Sequence, residues 1–174
     1  MISINTPIDN ETVKNLKLGD MIKVSGYIYT ARDAVLPKLV DLIKSNRLNN
    51  YNINLEGSII FHTAVSPAGI GPTSSNKLEI ESNIPFLSKH GVKMHLGKGA
   101  LKNDTIHELK SYNSFYATIP PVTALLESKI ISKKIIAFEE EGMEALHLLE
   151  IVEFPIIVAA IHGKSLHNGD VTNE

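Results

Sequence analysis

The chain has 174 residues, 43% hydrophobic and 21% charged, which is the balance of one ordinary globular domain spanning 1–174. Its formal net charge of −2 supplies no global field that would recruit nucleic acid. No apolar run approaches the ~20 residues needed to cross a bilayer. The start, Met1-Ile2-Ser3-Ile4-Asn5, lacks the basic and apolar regions of a signal peptide, so a cytoplasmic protein with no membrane partner is the expectation.

Residues 1–9 read as an extended entry. Asn10 to Leu16 reads as a short helix capped by Asn10 and ended near Gly19. Met21 to Tyr29 alternates loosely through Ile22, Val24 and Ile28, which predicts a strand interrupted at Gly26. Beyond Arg32 the period changes. Val35, Leu39, Leu42 and Ile43 fall at helical spacing, with Pro37 tolerable in the first turn. Gly57 to Val65 contains Ile59-Ile60-Phe61, a strand apolar on both faces. Ser66 to Asn76 is rich in Ser, Pro and Gly and reads as one long loop.

Residues 84–90 predict a helix begun by Pro85 and ended by Gly91. Val92 to Leu96 is the next strand. The segment from Asn103 to Lys110 carries its own capping and acidic residues and reads as a helix. Ser114 to Thr118 is a strand, and Pro120-Pro121 opens a helix with Val122, Leu125 and Leu126. Lys134 to Phe138 is a strand, Glu139-Glu140-Glu141-Gly142 a solvated turn, and His147–Glu153 and Ile156–Ile161 two strands flanking Phe154-Pro155. The tail from 163 is polar and loose. Strands and helices alternating from 57 to 138 call for a parallel layer with covering helices. The early strand and the late pair need a second β layer or an extension of the sheet, and a three-layer α/β domain fits.

Three segments place a cation beside hydroxyls or glycines where a strand gives way to a loop or helix. They are Tyr29-Thr30-Ala31-Arg32-Asp33, Gly71-Pro72-Thr73-Ser74-Ser75-Asn76-Lys77 and Leu96-Gly97-Lys98-Gly99. Such strand ends gather anions because orphan amides cluster there. Singly, each has an ordinary reading: Arg32 as a surface residue paired with Asp33, 71–77 as a connecting loop, Lys98 as a solvated turn residue. Arginine is scarce, two residues against 15 lysines, so the position of Arg32 carries weight. The seven histidines show no metal-binding spacing and read as scattered. With no cysteine, the chain offers no thiolate to a metal or cluster.

In their order and spacing these segments, with Leu18-Gly19-Asp20, Ser25 to Ala34 and Phe154-Pro155-Ile156-Ile157-Val158, resemble one family. It comprises the β subunits of two-subunit class I fumarate hydratases, the L-tartrate dehydratases, and the C-terminal domain of single-chain class I fumarases. The resemblance runs from about Thr6 to Leu166. It implies a swivelling β/β/α domain and a hydro-lyase, the hydration of fumarate to (S)-malate, in a hetero-oligomer. It also implies a cysteine-bearing α subunit that holds a 4Fe–4S cluster. By position, Arg32 and Lys98 match residues that bind the carboxylates of a dicarboxylate substrate. Thr73 matches a threonine that takes a proton from carbon, and Lys77 stands where many relatives carry a further arginine. A histidine common in relatives after Arg-Asp-x-x is Leu36 here, and a frequent Gly-Gly pair is Pro120-Pro121. The alternatives are L-tartrate as substrate, or a non-catalytic domain of the same fold.

Overall fold

The computed structural model describes residues 1–66, 69–73, 77–120 and 126–167, with the backbone alone at 69, 71–73 and 77. The fold is mixed α/β. The strands are β1 (Ile2–Asn5), β2 (Met21–Thr30), β3 (Ile59–Phe61), β4 (Thr63–Ser66), β5 (Gly69–Thr73), β6 (Met94–Gly97), β7 (Phe115–Thr118), β8 (Ile130–Ala137), β9 (Leu146–Ile161) and β10 (Lys164–Ser165). The helices are α1 (Asn10–Asn15), α2 (Leu36–Lys44), α3 (Lys77–Glu81), α4 (Ile84–Lys89) and α5 (Asn103–Ser111). No helix among the described residues is long and apolar enough to cross a membrane.

An eight-stranded sheet forms the frame. β1, β2, β3, β6 and β7 run parallel in that order; the βαβ alternation predicts this for β3, β6 and β7, and the early strand β2 extends the same sheet. The long strand β9 runs antiparallel and pairs with both β2 and β7, so β2, β3, β6, β7 and β9 close on themselves. β8 and β10 also pair antiparallel with β9.

Period-two alternation then divides the apolar residues into two cores. Ile22, Val24, Ile28, Ile59, Phe61, Met94, Leu96, Phe115, Leu149 and Phe154 fill the interior of the closed strands. There Phe61 and Phe154 meet edge to face, centroids 6.0 Å apart. The opposite faces of the strands present Ile60 and Tyr116 to Leu36, Leu39, Ile84, Leu87, Ile106 and Leu109 from helices α2, α4 and α5. Ile80 of α3 joins this second core, whereas α1 packs Val13 into the first.

Several elements differ from the sequence expectation, each for a physical reason. The cap of α1 is Asp9, not Asn10: its carboxylate accepts from the Thr12 amide at 2.8 Å. Ser66 to Asn76 is not one loop. β4 and β5 pair antiparallel across it, Thr63 opposite Thr73, while 67–68 and 74–76 lie outside the described residues. α3 follows immediately, a helix of five residues too short to show a period. β8 begins at Ile130 rather than Lys134 and is antiparallel, so the parallel run ends with β7. The two late strands are one: β9 continues through Pro155, bending at Glu153, which takes φ 47°. Ser25 Oγ receives the Glu153 amide at 2.9 Å, and β2 shifts register at Gly26, so the bulge of one strand matches the bend of the other. Pro121 to Leu125, expected as a helix start, lie outside the described residues, as does the tail from 168.

Candidate functional site

Parallel strands leave their carboxyl ends on one edge of a sheet. Arg32 follows β2 by two residues. Thr63 follows β3 by two and pairs with Thr73 of β5. Lys98 follows β6 directly. Because β2, β3 and β6 are neighbours, the segments carrying Arg32, Thr73 and Lys98 come together along that edge in this order. Lys77 is the first residue of α3, four positions after Thr73. The side chains of Thr73 and Lys77 lie outside the described residues.

The Arg32 backbone is fixed on both sides. The Ala31 amide donates to the Phe61 carbonyl at 3.0 Å, prolonging the β2–β3 ladder. The Arg32 carbonyl accepts from the Val35 and Leu36 amides at 3.1 and 2.9 Å, starting α2. Its side chain is about one-fifth exposed (21%), with Nε 3.4 Å from Glu144 Oε1 and 3.8 Å from Asp33 Oδ1. These are ion-pair separations rather than hydrogen bonds. The local partner expected from sequence, Asp33, is present, but Glu144 is nearer.

Glu144 is brought there by a short 3₁₀ segment, Glu139–Glu144. Lys38 of α2 holds that segment through Glu140 at 3.0 Å and Glu141 at 2.8 Å. The acidic run read as a solvated turn is therefore clamped to the helix that begins beside Arg32. Leu36 is fully buried in the helix-side core.

Lys98 is solvent-exposed on a turn that glycine makes possible. A Cβ on Gly97 would stand 2.7 Å from the Tyr116 hydroxyl, and Gly99 takes φ 75°. That close approach lets Tyr116 donate to the Lys98 carbonyl at 2.8 Å. Burial, and then the nearby Glu81 charge, push the Tyr116 hydroxyl well up, so it remains a donor.

Glu81 ties the segments behind the edge. It is 6% exposed, and its Oε1 accepts from the Lys102 amide at 2.6 Å and from Thr105 Oγ1 at 2.9 Å. The cap of α5 is therefore a carboxylate from α3, 21 residues away, not a residue of its own start. α3 continues from the Thr73 strand, and α5 follows the Lys98 turn. Glu81→Ala should cost about 1–2 kcal/mol by leaving the buried Thr105 hydroxyl and the partly buried Lys102 amide without their acceptor. A chemical-denaturation midpoint measures this, and an unchanged midpoint would show that water replaces the carboxylate.

Two histidines that sequence treats as scattered are buried together. His62, the residue after β3, and His95 of β6 are 2% and 0% exposed. The β3–β6 register sets Ile60 opposite His95, so His62, two residues on, shares its face. The rings are nearly parallel (7°), with His62 Nε2 3.3 Å from His95 Nδ1. Desolvation pushes His62 down to about 4; it also takes His95 well below its ordinary value, and the neighbouring His62 adds to that. The one sequence signal was a histidine inside the apolar run Val92 to Leu96. Among the described residues, no group of His, Asp and Glu could hold a metal ion.

The chain is 31% identical to a putative L(+)-tartrate dehydratase subunit beta of Methanocaldococcus jannaschii, covering 92% of this chain and 88% of that one. It is 27% identical to the L(+)-tartrate dehydratase subunit beta of Escherichia coli, covering 94% and 85%. It is 28% identical to a putative fumarate hydratase class I of Geobacillus stearothermophilus, covering 96% of this chain but 34% of that longer protein. Residues 1–169 match the family described as Fumarase C-terminus, and with nearly the whole chain inside that match the protein belongs to this family.

Proposed function

We propose that this chain is the β subunit of an iron–sulfur hydro-lyase that reversibly hydrates fumarate to (S)-malate with a cluster-carrying α subunit in the cytoplasm. The observation that carries the reading is the alignment of Arg32, the Thr73 strand and Lys98 on the ends of three adjacent strands, in a chain of this family. A dicarboxylate dianion leaving water needs more than one fixed cation. Arg32 would bind one carboxylate and Lys98 the other, with Lys77 a further contact. In the dehydration direction the Thr73 oxygen would take the proton from the carbon beside a carboxylate. The C–H electron pair then becomes the double bond as the neighbouring hydroxyl departs as hydroxide, and that hydroxide with the proton taken by Thr73 makes up the one water released. A threonine is a weak base, and an aspartate of the α subunit would activate it.

This chain has no cysteine, so it does not fit as the holder of a 4Fe–4S cluster, and thiolate ligands would come from the α subunit. When bound, such a cluster supplies a Lewis-acid iron. The domain would be the swivelling β/β/α type, an assignment supported by the closed strands and by helices α2 to α5 sharing one core. L(+)-tartrate is the second reading for the substrate, favoured by the names of the two β-subunit relatives.

The test is to co-express the chain with its cysteine-bearing partner and reconstitute the cluster anaerobically. Fumarate absorbance after addition of malate, and keto-acid formation from tartrate, then report the activity. No turnover with either substrate would leave the non-catalytic reading. With turnover established, Arg32→Lys should raise KM about tenfold and change kcat less, because a lysine keeps the charge but loses the bidentate fork. An unchanged KM would reduce Arg32 to its pairing with Asp33 and Glu144.

A further inference from the structure

We propose that His62 and His95 are positioning residues: with Ser88 they form a one-way chain of hydrogen bonds that fixes the Ala31 carbonyl and so the backbone from which Arg32 projects. The chain is Ser88 Oγ to His95 Nε2 at 2.9 Å, His95 Nδ1 to His62 Nε2 at 3.3 Å, and His62 Nδ1 to the Ala31 carbonyl at 2.9 Å. Ser114 Oγ anchors its far end, 3.0 Å from Ser88 Oγ and from the Val92 and Lys93 carbonyls.

The proton positions follow from which atoms can only accept. A carbonyl has no hydrogen, so His62 Nδ1 must carry one. A neutral His62 then has a bare Nε2, which His95 Nδ1–H fills. His95 in turn has a bare Nε2, which takes the Ser88 hydroxyl proton. Ser114 serves any of its three acceptors without altering this order. A second proton on His62 would set two N–H groups against each other across 3.3 Å, and one on His95 would sit on Nε2 and displace the Ser88 hydroxyl proton that it accepts. Burial opposes that charge as well. Since the chain ends on a carbonyl, which takes up no proton, it orients rather than conducts.

The consequence falls on the peptide between Ala31 and Arg32. The Ala31 amide is held by Phe61 and the Arg32 carbonyl by the start of α2. Rotation of the 31–32 peptide plane is the motion that would swing Arg32, and His62 blocks it. The hydrogen-bond chain stands on geometry alone. Its effect on substrate rests on the reading of Arg32 as a carboxylate ligand.

Imidazole ¹H–¹⁵N spectra of the full chain test the proton order. His62 and His95 should both show the Nδ1–H neutral tautomer, unchanged between pH 8 and about 5.5. An Nε2–H tautomer, or titration of either ring near 6.5, would overturn the proposal. Positioning is read separately, from the Nε–H signals of the two arginines, Arg32 and Arg47. Ser88→Ala should speed Arg32 Nε–H exchange about fivefold, the effect of one lost hydrogen bond, and leave Arg47 unchanged. His62→Leu should do at least as much. His62→Asn, which keeps a donor near the Nδ1 position, should restore the slow exchange. If His62→Leu fails to fold, the single hydroxyl removed in Ser88→Ala still decides. Equal exchange in Ser88→Ala and wild type would make the chain mere packing. In the reconstituted enzyme, Ser88→Ala should raise KM more than it lowers kcat, and the reverse split would count against positioning. If the wild type turns over neither malate nor tartrate, the hydro-lyase reading fails, while tautomers and arginine exchange still settle this one.

Discussion

Lowering the pH from 7 to 4 should remove about 3 kcal/mol of folding stability through His62 alone, from its displacement below 6.5 to about 4. The ring is fully buried, and desolvation is the main cause, so the shift belongs to the folded state. In the unfolded chain the imidazole returns to its ordinary value. Between the two values the unfolded state binds a proton that the folded state refuses. Stability is therefore complete above pH 6.5 and falls as pH drops through the window to about 4. By pH 5 the loss should already be about 2 kcal/mol. His95 is shifted in the same direction and shares the network, so its contribution deepens the slope without adding in full. Urea midpoints at pH 7, 6 and 5 measure this above the range where most carboxylates protonate. His62→Asn should flatten the slope. A midpoint that does not move between pH 7 and 5 would mean that one of these rings is charged, or hydrated, in the folded protein.

How much of this was legible in the sequence depended on how local the deciding force was. β2 and α2 were readable because the apolar period changes from two to 3.6 on either side of Arg32, and Pro37 marks the first helical turn. The parallel pairing of β3, β6 and β7 followed from the alternation of strands with helices, whereas the place of β2 beside β3, and of β8 against β9, did not. β9 was not readable as one strand. A proline inside a strand is ordinarily a break, and only the bulge in β2 and the Ser25 bond to Glu153 make the bend acceptable. α5 was predicted correctly, but on the wrong cap, since its acceptor comes from Glu81 on another helix.

The candidate site divides in the same way. Arg32 and Lys98 were singled out because they stand at strand ends beside glycines and hydroxyls, and it was the family resemblance that gave them a role; the strand order sets them at neighbouring strand ends. Glu144 was missed because its approach to Arg32 depends on Lys38 holding a 3₁₀ segment more than 100 residues away. His62 and His95 were missed because a parallel register, not spacing in the chain, puts them together. Sequence spacing reports neighbours along a helix or strand. It does not report neighbours across a sheet until the strand order is known.

Replacing Thr73 by alanine should lower kcat of the reconstituted enzyme by ~100-fold or more, about 2.7 kcal/mol of barrier, the range for losing a positioned base. The expectation starts from place. β5 sets Thr73 opposite Thr63, which follows β3, between the strand ends that carry Arg32 and Lys98. A dicarboxylate held by those two cations would present its central carbons to the position between them. A hydroxyl there would be near the proton that must leave. Alanine keeps the strand and removes only the oxygen, so KM should change little while kcat falls. Thr73→Ser, which keeps the hydroxyl, should recover most of the rate. Solvent exchange at the carbon of malate reports proton removal directly: at saturating malate Thr73→Ala should slow this exchange along with turnover, whereas loss of a residue that only orders the hairpin would raise KM and leave the exchange at saturation unchanged. If kcat is unchanged in Thr73→Ala, the base lies elsewhere, and the Thr63–Thr73 pairing is a structural feature of the strand edge.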